Sequence, residues 1–246
     1  MSTAPTAENI VNPGTHILEL AQEALRVAKS AARAAAEGIA TGSAQILRTL
    51  RDREKELDSL DRDVDDLVTA TISGASEAHA RELLACMKFV IALERIGDLL
   101  LSFGNRAGSV AVRIQPQDVK ELTMMASGLE RMLSDVDIAF CQRNLERAVT
   151  VLRSDGELDR LRNLILMRHL EPGHDESRQE SFHVIAMAQE LERAGDHAKN
   201  MAEEVCHLVS GRTVRHVLRT YDKPVVQLQL DRIRTHPGEN CLPEEA

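Results

Sequence analysis

Apolar residues fall into a rhythm of threes and fours at Ile17 and keep it through Ala21, Ala24, Ala28, Ala31 and Ala35. Gly38 and the polar string Thr41–Ser43 then interrupt it. That spacing lines one side of an α-helix beginning near Thr15, and its alanines imply close approach by neighbouring helices. Gly38 and "TGS" are predicted to end this helix, with Ser43 placed to cap the next. The second pattern runs from about Ala44 to Thr71, with Leu57, Leu60, Val64 and Leu67 on its apolar face. "SGAS", Ser73–Ser76, reads as a turn, and a third helix follows from about Glu77 to Val110 through Leu83, Met87 and Val90. "QPQD", Gln115–Asp118, places a proline before an acidic helix start.

The second half replays this plan. Helices are predicted from about Val119 to Phe140, from Arg143 to His169, and, after the turn "EPGHDES" (Glu171–Ser177), to about Ser210. "ELDSL" (Glu56–Leu60) returns as "ELDRL" (Glu157–Leu161), and "LERIGDLL" (Leu93–Leu100) returns as "LERAGDHA" (Leu191–Ala198). A unit of three helices is therefore present twice, too long for a solenoid repeat and long enough to bury its own core. The expected fold is all-α: a flexible leader over 1–14, a three-helix bundle over 15–112, a second over 116–211, and a partly disordered tail over 212–246. In that tail "VVQLQL", Val225–Leu230, alternates like a short strand.

Acidic residues follow the buried face closely. Asp58, Asp61 and Asp65 each come one position after a core residue, as do Glu94 and Asp98, and in the second copy Asp159, Glu192 and Asp196. One position is about 100° around a helix, so these acids lie at the edge where the second and third helices of each unit meet. Asp58, Asp61 and Asp65 are expected to approach Glu94 and Asp98, and Asp155 and Asp159 to approach Glu192 and Asp196. Asn200 and Glu203 extend the second stripe. Carboxylates converging in a partly buried seam repel one another unless a cation neutralises them. Oxygen donors without a Cys or His set suit Fe, Mn, Mg or Ca and, less typically, Zn. Isolated acid pairs at this spacing are common on solvated helices, with Arg62, Arg95 and Arg193 as ready partners; recurrence in both units is what singles these out. Gly97 and Gly195, costly inside a helix, are read as points of tight helix contact. His197 stands five residues from Glu192 and points to another face.

Composition narrows the function. Of 246 residues 43% are hydrophobic, with Ala, Leu, Val and Met prominent, no Trp, one Tyr and four Phe, a core for helices rather than sheets. A net charge of −9 and few aromatics supply neither a basic face nor stacking platforms for nucleic acid. No signal peptide and no run of membrane-span length is visible, so direct membrane insertion is not expected. Cys86, Cys141, Cys206 and Cys241 form no CxxC pair and read as reduced thiols of a cytoplasmic protein, Cys86 and Cys206 packed as small hydrophobes. Motifs for nucleotide binding and for nucleophilic catalysis are missing. No HxxxH occurs, and no ExxH falls in the seams, which argues against a ferritin-like di-iron centre.

"ALERIGDLL" and "ELERAGDHAKNMAEEV" resemble the two signature segments of the PhoU family, over about Thr15 to Arg215. The first copy has Ser102 where the family usually has Asn, and Asn105 where it has Glu. The resemblance implies two pseudo-symmetric three-helix bundles and carboxylate sites for multinuclear metal clusters, often iron or zinc. By carry-over, Asp61, Asp65, Glu94 and Asp98 would form one site, and Asp155, Asp159, Glu192 and Asp196 the other. It further implies a non-enzymatic negative regulator of the phosphate-starvation response. Such a protein, expected as a homodimer, would link the ATPase subunit of a Pst-type phosphate ABC transporter to a sensor histidine kinase at the inner face of the membrane. Three alternatives stand beside this: an accessory protein of another phosphate transporter, a carboxylate-bridged metalloenzyme, and a helical scaffold with solvated acids.

Overall fold

The computed structural model describes residues 13–110, 113–170 and 178–210. Among these residues seven helices follow one another: α1 (Pro13–Thr41), α2 (Ala44–Arg48), α3 (Leu50–Thr71), α4 (Glu77–Val110), α5 (Pro116–Cys141), α6 (Leu145–Leu170) and α7 (Arg178–Ser210). A 3₁₀ turn at Ile72–Gly74 joins α3 to α4, and no strand occurs among the described residues, so the all-α expectation holds. The predicted leader up to residue 12, the turn 171–177, the strand-like Val225–Leu230 and Cys241 lie outside the described residues. Helices α1, α3 and α4 pack as one trio and α5, α6 and α7 as another; α1 also lies on α5, and α4 meets α7 as extensively as any pair within a trio. One apolar interior runs through both trios.

The alanine stripe of α1 explains how one helix serves three neighbours. Ala21, Ala24, Ala28 and Ala35 are wholly buried, and a methyl side chain lets α3, α4 and α5 all approach. Gly38 does not end α1. The helix continues to Thr41, and the chain turns at Gly42, whose φ of 65° suits a residue without a Cβ. At Gly38 a Cβ would stand 2.6 Å from Leu47 Cδ2, so this glycine makes room for α2. Ser43 caps α2 as predicted, accepting a hydrogen bond from the Ile46 N–H at 3.4 Å.

The single helix predicted over Ala44–Thr71 is broken at Thr49. There the backbone N–H and the hydroxyl both donate to the Ile46 carbonyl, at 3.0 and 2.6 Å, three residues back instead of four. A threonine hydroxyl competing for the helix's own carbonyls loosens the ladder locally. The step sets Leu47 against Gly38 and Leu50 against Gly104, where a Cβ would stand 2.6 Å from Leu50 Cδ1. Hydrophobic spacing carries no trace of it, because Leu47, Leu50 and Leu57 are all in phase with one buried face.

The α5–α6 turn was predicted to start a helix at Arg143; instead α6 starts at Leu145, capped by Asn144, whose Oδ1 accepts from the N–H groups of Glu146 and Arg147 at 3.0 and 3.2 Å. Arg143 adopts φ 50°, held there by Glu82, which accepts from its Nη2 at 2.7 Å, and by the Phe140 ring, 5.4 Å below its guanidinium. Both Arg143→Ala and Arg143→Gly lose these contacts, but only glycine relieves the backbone, at about 1 kcal/mol. Urea unfolding is expected to place Arg143→Gly about 1 kcal/mol above Arg143→Ala; equal stabilities would mean that the turn relaxes. Cys86 and Cys206 are wholly buried, their thiols pushed up to about 12 and about 11, chiefly by that burial.

Candidate functional site

The two repeated strings of each half fit together as knob and slot. In the first half a Cβ on Gly97 would stand 2.6 Å from Leu57 Cδ1; in the second, a Cβ on Gly195 would stand 2.6 Å from Leu158 Cδ2. Leu57 and Leu158 belong to "ELDSL" and "ELDRL", and the glycines to the two LER-x-GD strings. A leucine seated on bare backbone draws α3 onto α4 and α6 onto α7, fixes their antiparallel register, and thereby brings the flanking acids to face one another. This accounts for a mid-helix glycine that local propensity disfavours.

In the α3–α4 seam the carboxylates act on one another. Glu94 is pushed above the usual carboxylate range by burial and then by Asp98, Asp61 and Asp58, with Arg95 opposing. Asp61 is raised by burial, then by Asp65 and Asp58. Glu54, which the sequence reading passed over, is raised by burial, Asp58 and Asp98. It escaped notice because it follows Arg53 rather than a core residue. Asp65 is exposed a turn further along α3 and reaches the group through its field on Asp61. The cations here pair along their own helices: Arg95 with Glu94 and Asp98 at 3.3 and 3.4 Å, Arg62 with Asp58 at 4.0 Å.

The α6–α7 seam is wired differently. Lys199 donates to Asp155, a residue only 7% exposed, and Arg162 reaches Glu192 at 3.5 Å and Asp159 at 3.9 Å. Gln189 also donates to Glu192, at 2.6 Å. Asp155 is nevertheless held above its ordinary range by burial, with Asp196 and Asp159 adding to this against the pull of Lys199; Glu192 is raised by burial and by Asp196. Lys199 is raised as well, burial being outweighed by Asp155, Asp196 and Glu203. Glu203 is buried and Asn200 half-buried on the same helix. His197 is lowered by burial and by Arg193 and Arg95, against the opposing charge of Asp196.

These seams bring together most of the acids singled out from the sequence. Their donor chemistry, all oxygen and partly buried, fits a hard cation. Their spacing does not close on one: among the described residues no three His, Cys, Asp or Glu side chains gather tightly enough to hold a metal ion. The raised carboxyls also have a cost. A carboxyl whose folded-state pKa exceeds its unfolded one binds its proton more tightly in the fold, so its contribution to stability falls as pH rises through that window.

The PhoU domain model matches residues 21–107 and 122–205, one match over each repeat. The phosphate-specific transport system accessory protein PhoU homolog of Pseudomonas aeruginosa is 29% identical over 195 residues, covering 76% of this chain and 78% of that protein. PhoU homolog 1 of Thermotoga maritima is 26% identical over 191 residues, 75% of this chain and 82% of that protein. The crystal structure of PhoU from Pseudomonas aeruginosa superposes with a TM-score of 0.75 at 22% identity, covering 80% of this chain and 97% of that one. That of the phosphate transport system regulatory protein PhoU from Streptococcus pneumoniae does so at 0.70 and 15%, covering 82% and 97%.

Proposed function

The chain belongs to the PhoU family, and from that membership we propose that it is an accessory regulator of phosphate transport that works by binding, not by catalysis. The family match across both repeats carries this reading. In it the chain represses the phosphate-starvation response while phosphate is plentiful, coupling the ATPase subunit of a Pst-type phosphate ABC transporter to a sensor histidine kinase on the cytoplasmic side of the membrane. No helix among the described residues is long and apolar enough to cross a membrane, which is compatible with attachment through protein partners, as is assembly as a homodimer.

The proposed metal-binding element is an acidic seam: Glu94 and Asp98 of α4 face Asp58 and Asp61 of α3, and the repeat offers Glu192 and Asp196 of α7, facing Asp159 of α6, as the counterpart to be tested against it. Iron or zinc is favoured, with Mn, Mg or Ca as further candidates. A bound cation would supply positive charge where these carboxylates repel, stiffening the seam and altering the charge that a partner meets. The upward push on Glu94 and Asp61, from burial first and then from neighbouring carboxylates, supports this role.

The test is a chromosomal deletion in the source organism, complemented with wild type or with Glu94→Gln/Asp98→Asn. Deletion is expected to derepress a phosphate-starvation reporter in high phosphate by roughly tenfold or more, equivalent to at least 1.4 kcal/mol of lost control. Wild type should restore repression, and the double variant should restore it only in part. A deletion strain that keeps normal repression would remove the regulatory reading, whatever the metal content.

A further inference from the structure

We propose that the α6–α7 seam is held closed by its own cations, Arg162 and Lys199, without a metal ion, so that metal-dependent behaviour belongs to the α3–α4 seam alone. This rests on the reading above that an acidic seam takes up metal.

Superposed on one another, the two repeats differ at the seam. The alignment that places "ELDSL" on "ELDRL" sets Glu54 against Asp155 and Asp58 against Asp159, but it sets Asp61 against Arg162 and Asp65 against Leu166. The alignment of the LER-x-GD strings sets Leu101 against Lys199. Knob and slot hold both pairs of helices in the same register, so the residue opposite Glu94 is Asp61, whereas the residue opposite Glu192 is Arg162. One seam meets a carboxylate with a carboxylate, where the other meets it with a guanidinium.

The contacts agree. Arg162 and Lys199 each bridge from one helix to the other, to Glu192 and to Asp155, with side chains only 26% and 32% exposed. In the α3–α4 seam no Lys or Arg ion pair joins the two helices among the described residues; Arg62 and Arg95 pair within their own helices and are 70% and 59% exposed. Exposed pairs along one helix contribute little and are readily exchanged for solvent. A cross-helix pair on a buried carboxylate is different, because removing its cation leaves a charge without compensation. A metal ion entering the second seam would have to displace an ammonium and a guanidinium that cannot leave the chain, whereas the first seam has no such competitor between its helices.

Full-length protein stripped with chelator is dialysed against manganese(II) and, separately, zinc(II), and bound metal is read by elemental analysis. Glu94→Gln/Asp98→Asn is expected to lower uptake at least roughly tenfold, while Glu192→Gln/Asp196→Asn leaves it unchanged. Arg162→Asp/Lys199→Leu, which gives the second seam the first seam's residues at the two cation positions, should about double the uptake; Lys199→Leu alone, expected to raise it, serves if the pair does not fold by circular dichroism. Equal losses in the two acidic double variants would overturn the proposal and leave the metal reading standing. No uptake by wild type would sink the metal reading. Self-closure is then judged by melting in chelator, where Lys199→Met is expected to melt about 5 °C lower than wild type. A Lys199→Met protein that melts like wild type overturns it.

Discussion

Leu158→Ala is expected to lower the unfolding free energy by about 3–4 kcal/mol, near the upper part of the range for a buried leucine. Leu158 is 3% exposed and fills slots on two helices at once: a Cβ on Gly195 would stand 2.6 Å from its Cδ2, and a Cβ on Gly128 would stand 3.1 Å from its Cδ1. Truncation therefore leaves a void bounded by bare backbone on α5 and α7, with few side-chain atoms able to collapse into it. The diagnostic result is a change of sign. In the wild-type background Gly195→Ala forces the leucine aside, at about 1–3 kcal/mol, against about 1 kcal/mol gained in helix propensity, so the variant should be neutral to destabilised. In the Leu158→Ala background the same methyl enters the void and keeps the propensity gain, so Gly195→Ala should stabilise. Urea unfolding of the four proteins measures a favourable coupling of about 2 kcal/mol. Strict additivity would show that leucine and glycine are not knob and slot, and would take with it the reason that LER-x-GD and ELD-x-L recur together.

That pairing also marks how far the sequence alone could be read. The repeat and the acidic edge follow from the 3.6-residue period, which Leu57, Leu60 and Val64 obey without exception, and Asp58 and Asp61 fall at the α3–α4 edge; the helix count does not follow, because α2 and α3 keep one phase across their break. Period says nothing about the register between two helices. Asp65 satisfies the rule for the edge, yet it lies eight residues from Leu57, roughly 12 Å along α3, beyond the level of Glu94. Glu54 faces the seam although it follows a polar residue, because it stands four residues before Asp58 and seven before Asp61, on the same side of α3. Arg162 and Lys199 were visible in the string throughout. They share the stripes of Asp159 and Asp196, but a search that follows carboxylates alone passes over the cations that neutralise them. The Thr49 break was hidden for another reason: one hydroxyl bond decides it, and no periodicity records a hydroxyl's choice of acceptor.

Arg168→Met is expected to be the most pH-dependent substitution in the molecule. Where the last turn of α6 meets the first turn of α5, Asp118 is wholly buried and Glu121 is 6% exposed, and both accept hydrogen bonds from Arg168, with His169 Nε2 3.2 Å from Asp118 Oδ1. Burial pushes Glu121 up, but the hydrogen bonds from Arg168 and Gln117 and the charges of Arg168 and Lys120 outweigh it and hold the carboxyl below its ordinary range. A lowered carboxyl contributes stability that is present above its unfolded pKa and lost as pH falls through the folded one. Replacing Arg168 by the similarly shaped methionine leaves burial opposed only by Gln117 and Lys120, so the folded pKa of Glu121 should move above the unfolded value and the sign should invert. The variant then loses stability as pH rises, and with two buried carboxylates deprived of their guanidinium the deficit at pH 7 should reach about 3–5 kcal/mol. Urea midpoints for wild type and variant between about pH 4 and pH 7 should lie closest at the acid end and diverge towards neutrality. A gap that stays constant across that range would assign the loss to packing of the arginine stem, and the charge cluster would then contribute nothing of its own.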